Sequence, residues 1–339
     1  MSQRFIAEPE LAAAAPKFQA LQASLNKVLF GQESLVESMI VGMLARGHLL
    51  LEGLPGLGKT ELVKAMAKAV GLSQRRIQFT PDLLPGDITG NPILADVDGK
   101  RQFVFQPGPI FANIVLADEI NRASPKTQSA LLEAMQERQV TVIGETRPLP
   151  DPFFVLATQN PIEMEGTYAL PEAQLDRFLF KVEILRNPTA VLEKIVMERE
   201  IGIEPTVTQA LTPAEFAEGI ALARRVYLPE VVANYIARLV NGSHPGESAA
   251  ADGVKFGASP RAALALAAAA RARALLQNRL NASFEDVQAV ARPVLAHRII
   301  LDYRARVAGR TSASVVAAIL AEVKPGGAEL PSTLLAAKV

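Results

Sequence analysis

Gly53-Leu-Pro-Gly-Leu-Gly58-Lys59-Thr60 is the stretch of sequence that decides the fold. It follows a short apolar run, His48-Leu-Leu-Leu51, that is typical of a buried parallel strand, and it precedes a helical pattern over residues 60–70. The eight residues match G-x-x-x-x-G-K-[ST], in which the glycines let backbone N–H groups curl around phosphate oxygens. The positive end of the following helix faces the same anion. We therefore predict a phosphate-binding loop in which Lys59 neutralises β- and γ-phosphate oxygens and the Thr60 hydroxyl coordinates Mg²⁺.

Further apolar runs alternate with helical patterns along the first half of the chain. These runs cover residues 77–80, 114–117, 153–157 and 178–185. The alternation predicts an α/β domain with a mostly parallel sheet. Two segments, 93–105 and 139–148, are instead typical of β-hairpins, the first around Asp98-Gly99. After Pro188 the strand signals vanish, helical patterns dominate, and residues 325–339 are expected to form a loose tail.

Two acidic residues end one of the apolar runs, in Ile114-Val-Leu-Ala-Asp118-Glu119. A buried parallel strand would deliver both carboxylates to the carboxyl edge of the sheet, where such folds bind ligands. There Asp118 would hold the magnesium shell. Glu119 would polarise the attacking water as a general base.

Two more polar positions allow two interpretations each. Asn160 follows the apolar run 153–157 and either holds the water or a γ-phosphate oxygen, or forms an ordinary turn with Pro161. Arg177 ends a short predicted helix and is either a solvated or salt-bridged surface residue or an arginine finger that reaches a neighbouring subunit's γ-phosphate.

Composition excludes several classes of function. The 339 residues include 35 Lys+Arg and 35 Asp+Glu, so the net charge is +0 and a dominant polyanion-binding role is not expected. With no cysteine and three widely spaced histidines, thiolate chemistry is impossible and a histidine-rich metal site is not expected. No secretory segment and no membrane-spanning apolar run is visible, which predicts a cytoplasmic protein without membrane insertion.

The chain resembles the MoxR family of AAA+ ATPases over most of its length. The most specific stretch is GPIFANIVLADEINRASPKTQSALLEAMQER at 108–138, and ATQNP at 157–161 and LPEAQLDRF at 170–178 are equally typical. The resemblance implies a P-loop NTPase core at residues 1–204, with a parallel five-stranded sheet, followed by an all-helical lid domain at residues 205–339. The hairpins at 93–105 and 139–148 would be the helix-2 insert and the pre-sensor-1 hairpin.

The resemblance also implies the roles of individual residues with ATP and Mg²⁺. Residues 53–60 look like Walker A, Asp118 and Glu119 like Walker B, Asn160 like sensor 1, Arg177 like the arginine finger and Arg261 like sensor 2. The metal ligands would be Thr60 and Asp118. Phe30-Gly31-Gln32 lies where AAA+ proteins hold the adenine. The implied nucleotide contacts are Gly31, Gln32, Gly53, Pro55, Gly56, Leu57, Gly58, Lys59, Thr60 and Glu61.

Family members assemble into rings, usually hexamers, and many remodel a client protein in a chaperone-like way. They often work with partners that carry a von Willebrand factor A domain. The sequence leaves open whether Arg261 acts on its own subunit's nucleotide or on a neighbour's. Arg122 would either contact a neighbouring site or form a structural ion pair, and we favour the ion pair.

Three other functions compete with this interpretation. A nucleic-acid-acting ring ATPase would use the same hairpins, but Asp96, Asp98, Lys100 and Arg101 nearly cancel around the first tip. A small-molecule P-loop kinase would need an acceptor pocket and no arginine from a neighbour, and the helical lid and the 170–178 motif argue against it. A nucleotide switch with negligible turnover is disfavoured by the intact Glu119.

Overall fold

The computed structural model describes residues 5–53, 58–160, 167–184, 186–200, 202–203 and 205–326, with only the backbone of Val97. Its strands are β1 (Leu49–Glu52), β2 (Gln74–Gln78), β3 (Gly90–Val97), β4 (Lys100–Pro107), β5 (Ile114–Asp118), β6 (Gln139–Val142), β7 (Glu145–Pro148), β8 (Phe154–Gln159), β9 (Phe180–Glu183), β10 (Val254–Phe256) and β11 (Ile300–Leu301). Its helices are α1 (Glu8–Asn26), α2 (Glu33–Leu44), α3 (Lys59–Val70), α4 (Pro85–Thr89), α5 (Pro125–Glu137), α6 (Glu172–Leu175), α7 (Thr189–Glu198), α8 (Pro213–Arg225), α9 (Glu230–Asn241), α10 (Pro260–Leu276), α11 (Phe284–Leu295), α12 (Tyr303–Val307) and α13 (Ser312–Glu322).

The chain folds into two compact units. The first unit comprises residues 17–218, and the second comprises residues 1–16 and 219–339. The domain boundary between residues 204 and 205 stays a prediction.

The first unit is built on a five-stranded sheet in the order β2-β5-β8-β1-β9. Neighbouring strands are all parallel, with Leu49 opposite Leu156 and Phe180, and Gln78 opposite Asp118. The predicted parallel sheet is therefore confirmed. Its three inner strands are apolar runs because helices cover both faces of a parallel sheet.

Alternate residues of the strands face opposite sides of the sheet. Val115 and Ala117 of β5 belong to a buried cluster that includes Leu131, Leu132 and Met135 of α5. On the other face, α2 approaches so closely that a Cβ at Gly42 would lie 2.3 Å from Leu49 Cδ1. Packed helices on both faces thus hold the sheet in place. The polar residues at the ends of its strands lie at one edge.

Both predicted hairpins are present in the first unit. Strands β3 and β4 pair antiparallel around Asp98-Gly99, which have φ values of 54° and 74°. Strands β6 and β7 pair around Ile143-Gly144, with φ values of 53° and 76°. Positive φ at both central residues matches the twist of a two-residue hairpin turn, which explains why Asp-Gly was an informative signal.

The second unit is helical, as predicted, with α9, α10, α11 and α13 packed together. It also contains a short antiparallel ribbon in which Val254 of β10 pairs with Leu301 of β11. The expectation of no strand after Pro188 was wrong in this detail, because strands of two and three residues are too short to show a period-2 pattern. Among the described residues, no helix combines the length and the apolar character needed to cross a bilayer.

The first helix begins at Glu8 and continues to Asn26. An alanine-rich stretch favours the helix, and two acidic residues in its first turn interact well with the helix dipole. These preferences outweigh the cost of Pro16, which lies inside the helix.

A buried histidine connects β1 to the neighbouring elements. The Nδ1 atom of His48 accepts a hydrogen bond of 3.0 Å from the Val155 N–H. The Nε2 atom therefore carries the proton and donates to the Met135 carbonyl at 3.1 Å. Burial lowers the pKa of His48 from 6.5 to about 4, so the imidazole is neutral near pH 7.

We expect this histidine to destabilise the fold in mild acid. The unfolded chain binds a proton at this histidine more readily than the folded chain does. The stabilising contribution of the neutral His48 is therefore complete above pH 6.5 and is lost as pH falls toward 4. Between pH 7 and pH 5 the wild type should lose about 2 kcal/mol more unfolding free energy than His48→Gln. Urea unfolding at both pH values measures this difference. His244→Gln, which removes an exposed histidine, should behave like the wild type; an equal loss in His48→Gln would contradict the assignment.

Candidate active site

The carboxyl edge of the sheet and the start of α3 enclose a cavity of about 400 Å³ in the first unit. Its lining contains eight residues predicted from the sequence, namely Gly53, Gly58, Lys59, Thr60, Glu61, Asp118, Glu119 and Asn160. Two more lining residues, Arg76 and Thr158, were not predicted. We call this space the phosphate cavity because it lies at the predicted phosphate-binding loop.

The described part of the loop has the geometry that an anion site needs. Gly58 precedes α3 with a φ of 77°, which L-residues with a side chain rarely adopt. Lys59 Nζ donates to the Gly53 carbonyl at 3.1 Å, so the ammonium lies across the loop. Burial lowers the pKa of Lys59, and the carboxylates of Asp118 and Glu119 oppose that shift. The predicted contacts Pro55, Gly56 and Leu57 lie outside the described residues.

The two acidic residues are held by the neighbouring strand β8. Thr158 Oγ1 donates to Asp118 Oδ1 at 2.6 Å and accepts the Glu119 N–H at 2.8 Å. Glu119 itself has a φ of 56°, an uncommon conformation for a residue with a side chain. One hydroxyl therefore holds both the Asp118 carboxylate and the Glu119 backbone.

Basic and amide side chains bind one further oxygen of each carboxylate. Arg76 contacts Asp118 Oδ2 through Nη2 at 2.7 Å and Nε at 3.2 Å. Glu119 Oε2 accepts from Gln78 Nε2 at 2.7 Å and from Arg122 Nη1 at 3.0 Å. Arg122 thus forms an ion pair within its own chain, the interpretation that we favoured.

One feature of the sequence could have identified Arg76 and Gln78 of β2 as residues of the site. Arg76 and Gln78 are two positions apart, so they share one face of the strand. The predicted strand began at Ile77, which left Arg76 outside it.

A second cavity of about 480 Å³ adjoins the first, since Gly58 and Glu61 line both. Its other lining residues are mainly apolar: Val28, Leu29, Phe30, Gln32, Asn187, Ile195, Arg199, Gly202, Ile203 and Pro205. We call it the apolar cavity. Predicted residue Gln32 lines it and donates to Asn187 Oδ1 at 2.8 Å.

The segment beside the apolar cavity is fixed to α7. Lys194 and Arg199 place their cationic groups 4.5 Å and 4.9 Å from the centre of the Phe30 ring. Predicted residue Gly31 does not line the cavity and packs against α7, where a Cβ would lie 2.7 Å from a methyl of Val191. Gly31 therefore permits a close backbone approach, and its φ of 69° also favours glycine.

The remaining predicted residues occupy different places. Asn160 is buried in the wall of the phosphate cavity, and its carbonyl accepts from Asn121 Nδ2 at 3.3 Å. Arg177 is exposed and lines a separate surface cavity with Glu133 and Glu137 of α5. Arg261 is exposed in the first turn of α10, in the second unit.

The donors in the phosphate cavity suit magnesium. Thr60 and Asp118 offer hard oxygen ligands in the same cavity. Among the described residues, no group of three or more histidine or acidic side chains could hold a metal by itself. Magnesium commonly binds through one or two protein ligands together with substrate phosphates and water, and the residues present fit that mode.

Comparison with protein families matches both parts of the chain. Residues 48–180 match the ATPase family associated with various cellular activities (AAA), and residues 246–319 match an AAA lid domain. A crystal structure of a candidate ATPase from Cytophaga hutchinsonii superposes with a TM-score of 0.87 at 39% identity, covering 94% of this chain and 97% of that one. The predicted α/β core with a helical lid is therefore confirmed.

Proteins with similar sequences cover most of the chain. Chaperone MoxR1 of Mycobacterium tuberculosis is 45% identical over 285 residues, which are 83% of this chain and 75% of that protein. The uncharacterised protein YeaC of Bacillus subtilis is 45% identical over 88% of this chain and 92% of its own length. Protein MoxR of Paracoccus denitrificans is 33% identical over 84% of this chain and 89% of its own length.

Proposed function

Because the chain belongs to the MoxR family of AAA+ ATPases, we propose that it hydrolyses Mg-ATP and uses the energy to remodel a client protein. The observation that carries the ATPase proposal is the phosphate cavity. At the N-terminus of α3, directly after the phosphate loop, this cavity brings together a lysine, two carboxylates and a buried asparagine. The adjoining apolar cavity supports a purine base beside the phosphates.

In this proposal each residue of the phosphate cavity has one role. Lys59 leaves the Gly53 carbonyl and binds β- and γ-phosphate oxygens. Thr60 and Asp118 hold Mg²⁺, which when bound neutralises charge on the phosphates. Glu119 accepts a proton from the attacking water, and Asn160 orients that water or a γ-phosphate oxygen.

We propose that two arginines outside the phosphate cavity also act on the nucleotide. Arg177 is exposed and lines no part of the phosphate cavity, which supports action on a neighbouring subunit. A head-to-tail contact that repeats this arrangement closes into a ring, and we propose a hexamer. Arg261 would be the second such residue, as sensor 2, and its choice of subunit stays open.

The client-binding part of the proposal is supported by exposed apolar side chains on the hairpins. Leu94 and Phe103, which face each other across β3 and β4, are 57% and 74% exposed. Ile143, at the tip of the other hairpin, is 71% exposed. Exposed apolar groups of this kind favour contact with a protein, and a partner with a von Willebrand factor A domain stays part of the proposal.

Nucleic acid fits these hairpins less well. Arg147 pairs with Glu145 on its own hairpin and stacks 4.1 Å above the Phe105 ring. Asp96 and Arg101 are paired in register across the first hairpin, so opposite charges lie together there. Phosphate binding needs uncompensated cations, which argues for a protein client. A cytoplasmic location stays a prediction.

Lys59→Ala tests the phosphate assignment. A charge-assisted bond to phosphate is worth about 1.5–3 kcal/mol, so ATP should bind roughly 10- to 100-fold more weakly. Isothermal titration of the purified protein with ATP and Mg²⁺ measures the affinity. Lys68→Ala, an exposed lysine of the same helix, should bind as the wild type does. Unchanged affinity in Lys59→Ala would remove the phosphate-loop assignment.

A further inference from the structure

Arg76 lies beside the proposed metal ligand Asp118, where its positive charge would repel a bound metal ion. Its guanidinium binds Asp118 Oδ2 through two nitrogens, at 2.7 Å and 3.2 Å. The same Nη2 atom donates to Gln78 Oε1 at 2.6 Å, which holds the guanidinium over the end of β2. The arginine thus lies in the wall of the phosphate cavity, against the proposed magnesium ligand.

Both oxygens of Asp118 already have partners within the chain. Thr158 occupies Oδ1, and Arg76 occupies Oδ2. Thr158 is neutral and 1% exposed, so it can stay in place when a cation approaches. Arg76 carries a full charge at hydrogen-bond distance from the carboxylate, so it opposes a divalent cation electrostatically.

The ion pair is built so that it can open. The Arg76 side chain is 50% exposed, whereas that of Asp118 is 17% exposed. Strand β2 is an edge strand of the sheet, so the arginine can turn toward solvent without disturbing a neighbouring strand. A half-exposed ion pair contributes little stability, which keeps the cost of releasing Asp118 small.

We propose that Arg76 is a resident counter-ion of Asp118, which it gives up when the metal–nucleotide complex binds. This inference rests on the proposed metal site at Asp118. Arg76 holds the carboxylate in position while no metal is bound, and it sets the strength with which metal and nucleotide bind together. It is a positioning residue that weakens metal coupling, in contrast to a residue that binds phosphate.

The test measures the dissociation constant of ADP by calorimetry in EDTA and in excess MgCl₂. The dissociation constant in EDTA divided by that in MgCl₂ reports how strongly metal and nucleotide assist each other's binding. Removing the competing charge with Arg76→Gln should raise this ratio roughly three- to ten-fold. Arg76→Met, which replaces the charged side chain by an apolar one, should give the same change. Arg75→Gln removes an exposed arginine from the opposite face of β2 and should leave the ratio unchanged.

Asp118→Asn separates the inference from the function on which it rests. If the wild-type ratio does not fall in Asp118→Asn, the proposed metal site fails, and the counter-ion role fails with it. If that ratio falls but both Arg76 variants leave it unchanged or lower it, the counter-ion role alone is overturned. If the Arg76 variants bind ADP more weakly by the same factor with and without metal, Arg76 binds phosphate instead, and the counter-ion role is also overturned.

Discussion

Glu119→Gln is expected to bind ATP with Mg²⁺ about as well as the wild type and to hydrolyse it roughly 10²- to 10⁴-fold more slowly. Glutamine keeps the shape of the side chain and loses the ability to accept a proton. Its amide can still accept from Gln78 and Arg122, which now hold Glu119 Oε2 at 2.7 Å and 3.0 Å. The loop should therefore keep its position while the chemistry fails.

Phosphate release and equilibrium ATP binding, measured on the same preparation, separate these two effects. Glu218→Gln removes an exposed acid on α8 and should hydrolyse ATP at the wild-type rate. Near-normal turnover in Glu119→Gln would show that another group activates the water. Loss of ATP binding would instead indicate that Glu119 supports the loop structurally.

The parts of the site that could be predicted share one physical cause. Asp118 ends one strand and Asn160 directly follows another, and parallel strands deliver their ends to the same edge of the sheet. The phosphate loop is equally local, because its glycines and lysine lie within eight residues. The structure accordingly brings these residues to one cavity.

The contacts that orient the carboxylates are long-range and could not be predicted in the same way. Arg76 and Asp118 are 42 positions apart, and their meeting depends on the register of β2 against β5. Strand β2 reads Gln-Arg-Arg-Ile-Gln, with a single fully buried residue, so its apolar pattern is weak. Edge strands of this kind carry polar residues because they lack a neighbour on one side.

Prediction from the sequence is limited in a similar way in the second unit. Its helices carry apolar faces or residues of high helix propensity, which is why helical patterns dominate the sequence there. The ribbon of β10 and β11 consists of five residues in total and is fixed by pairing between Val254 and Leu301, which are far apart in the chain. Pairing of this kind leaves no local pattern.

Mixing two inactive variants is expected to restore ATPase activity, because Arg177 would act across a subunit boundary. Arg177→Ala should bind ATP and hydrolyse it poorly, since an arginine supplied by a neighbour stabilises charge in the transition state. Such a subunit still has Glu119, and a Glu119→Gln neighbour still offers Arg177. After random one-to-one mixing, roughly a quarter of the head-to-tail interfaces regain both groups.

The measurement is ATP turnover of the mixture after subunit exchange has been confirmed, compared with each variant alone. Mixing Arg177→Ala with the double variant Arg177→Ala/Glu119→Gln serves as the control, because no interface then holds both groups and activity should stay absent. If the first mixture also stays inactive, either Arg177 acts within its own subunit or ATP-locked subunits stop every ring. Reducing Glu119→Gln to a minority distinguishes these outcomes: stalling fades as locked subunits become rare, whereas an arginine that acts within its own subunit never complements at any ratio.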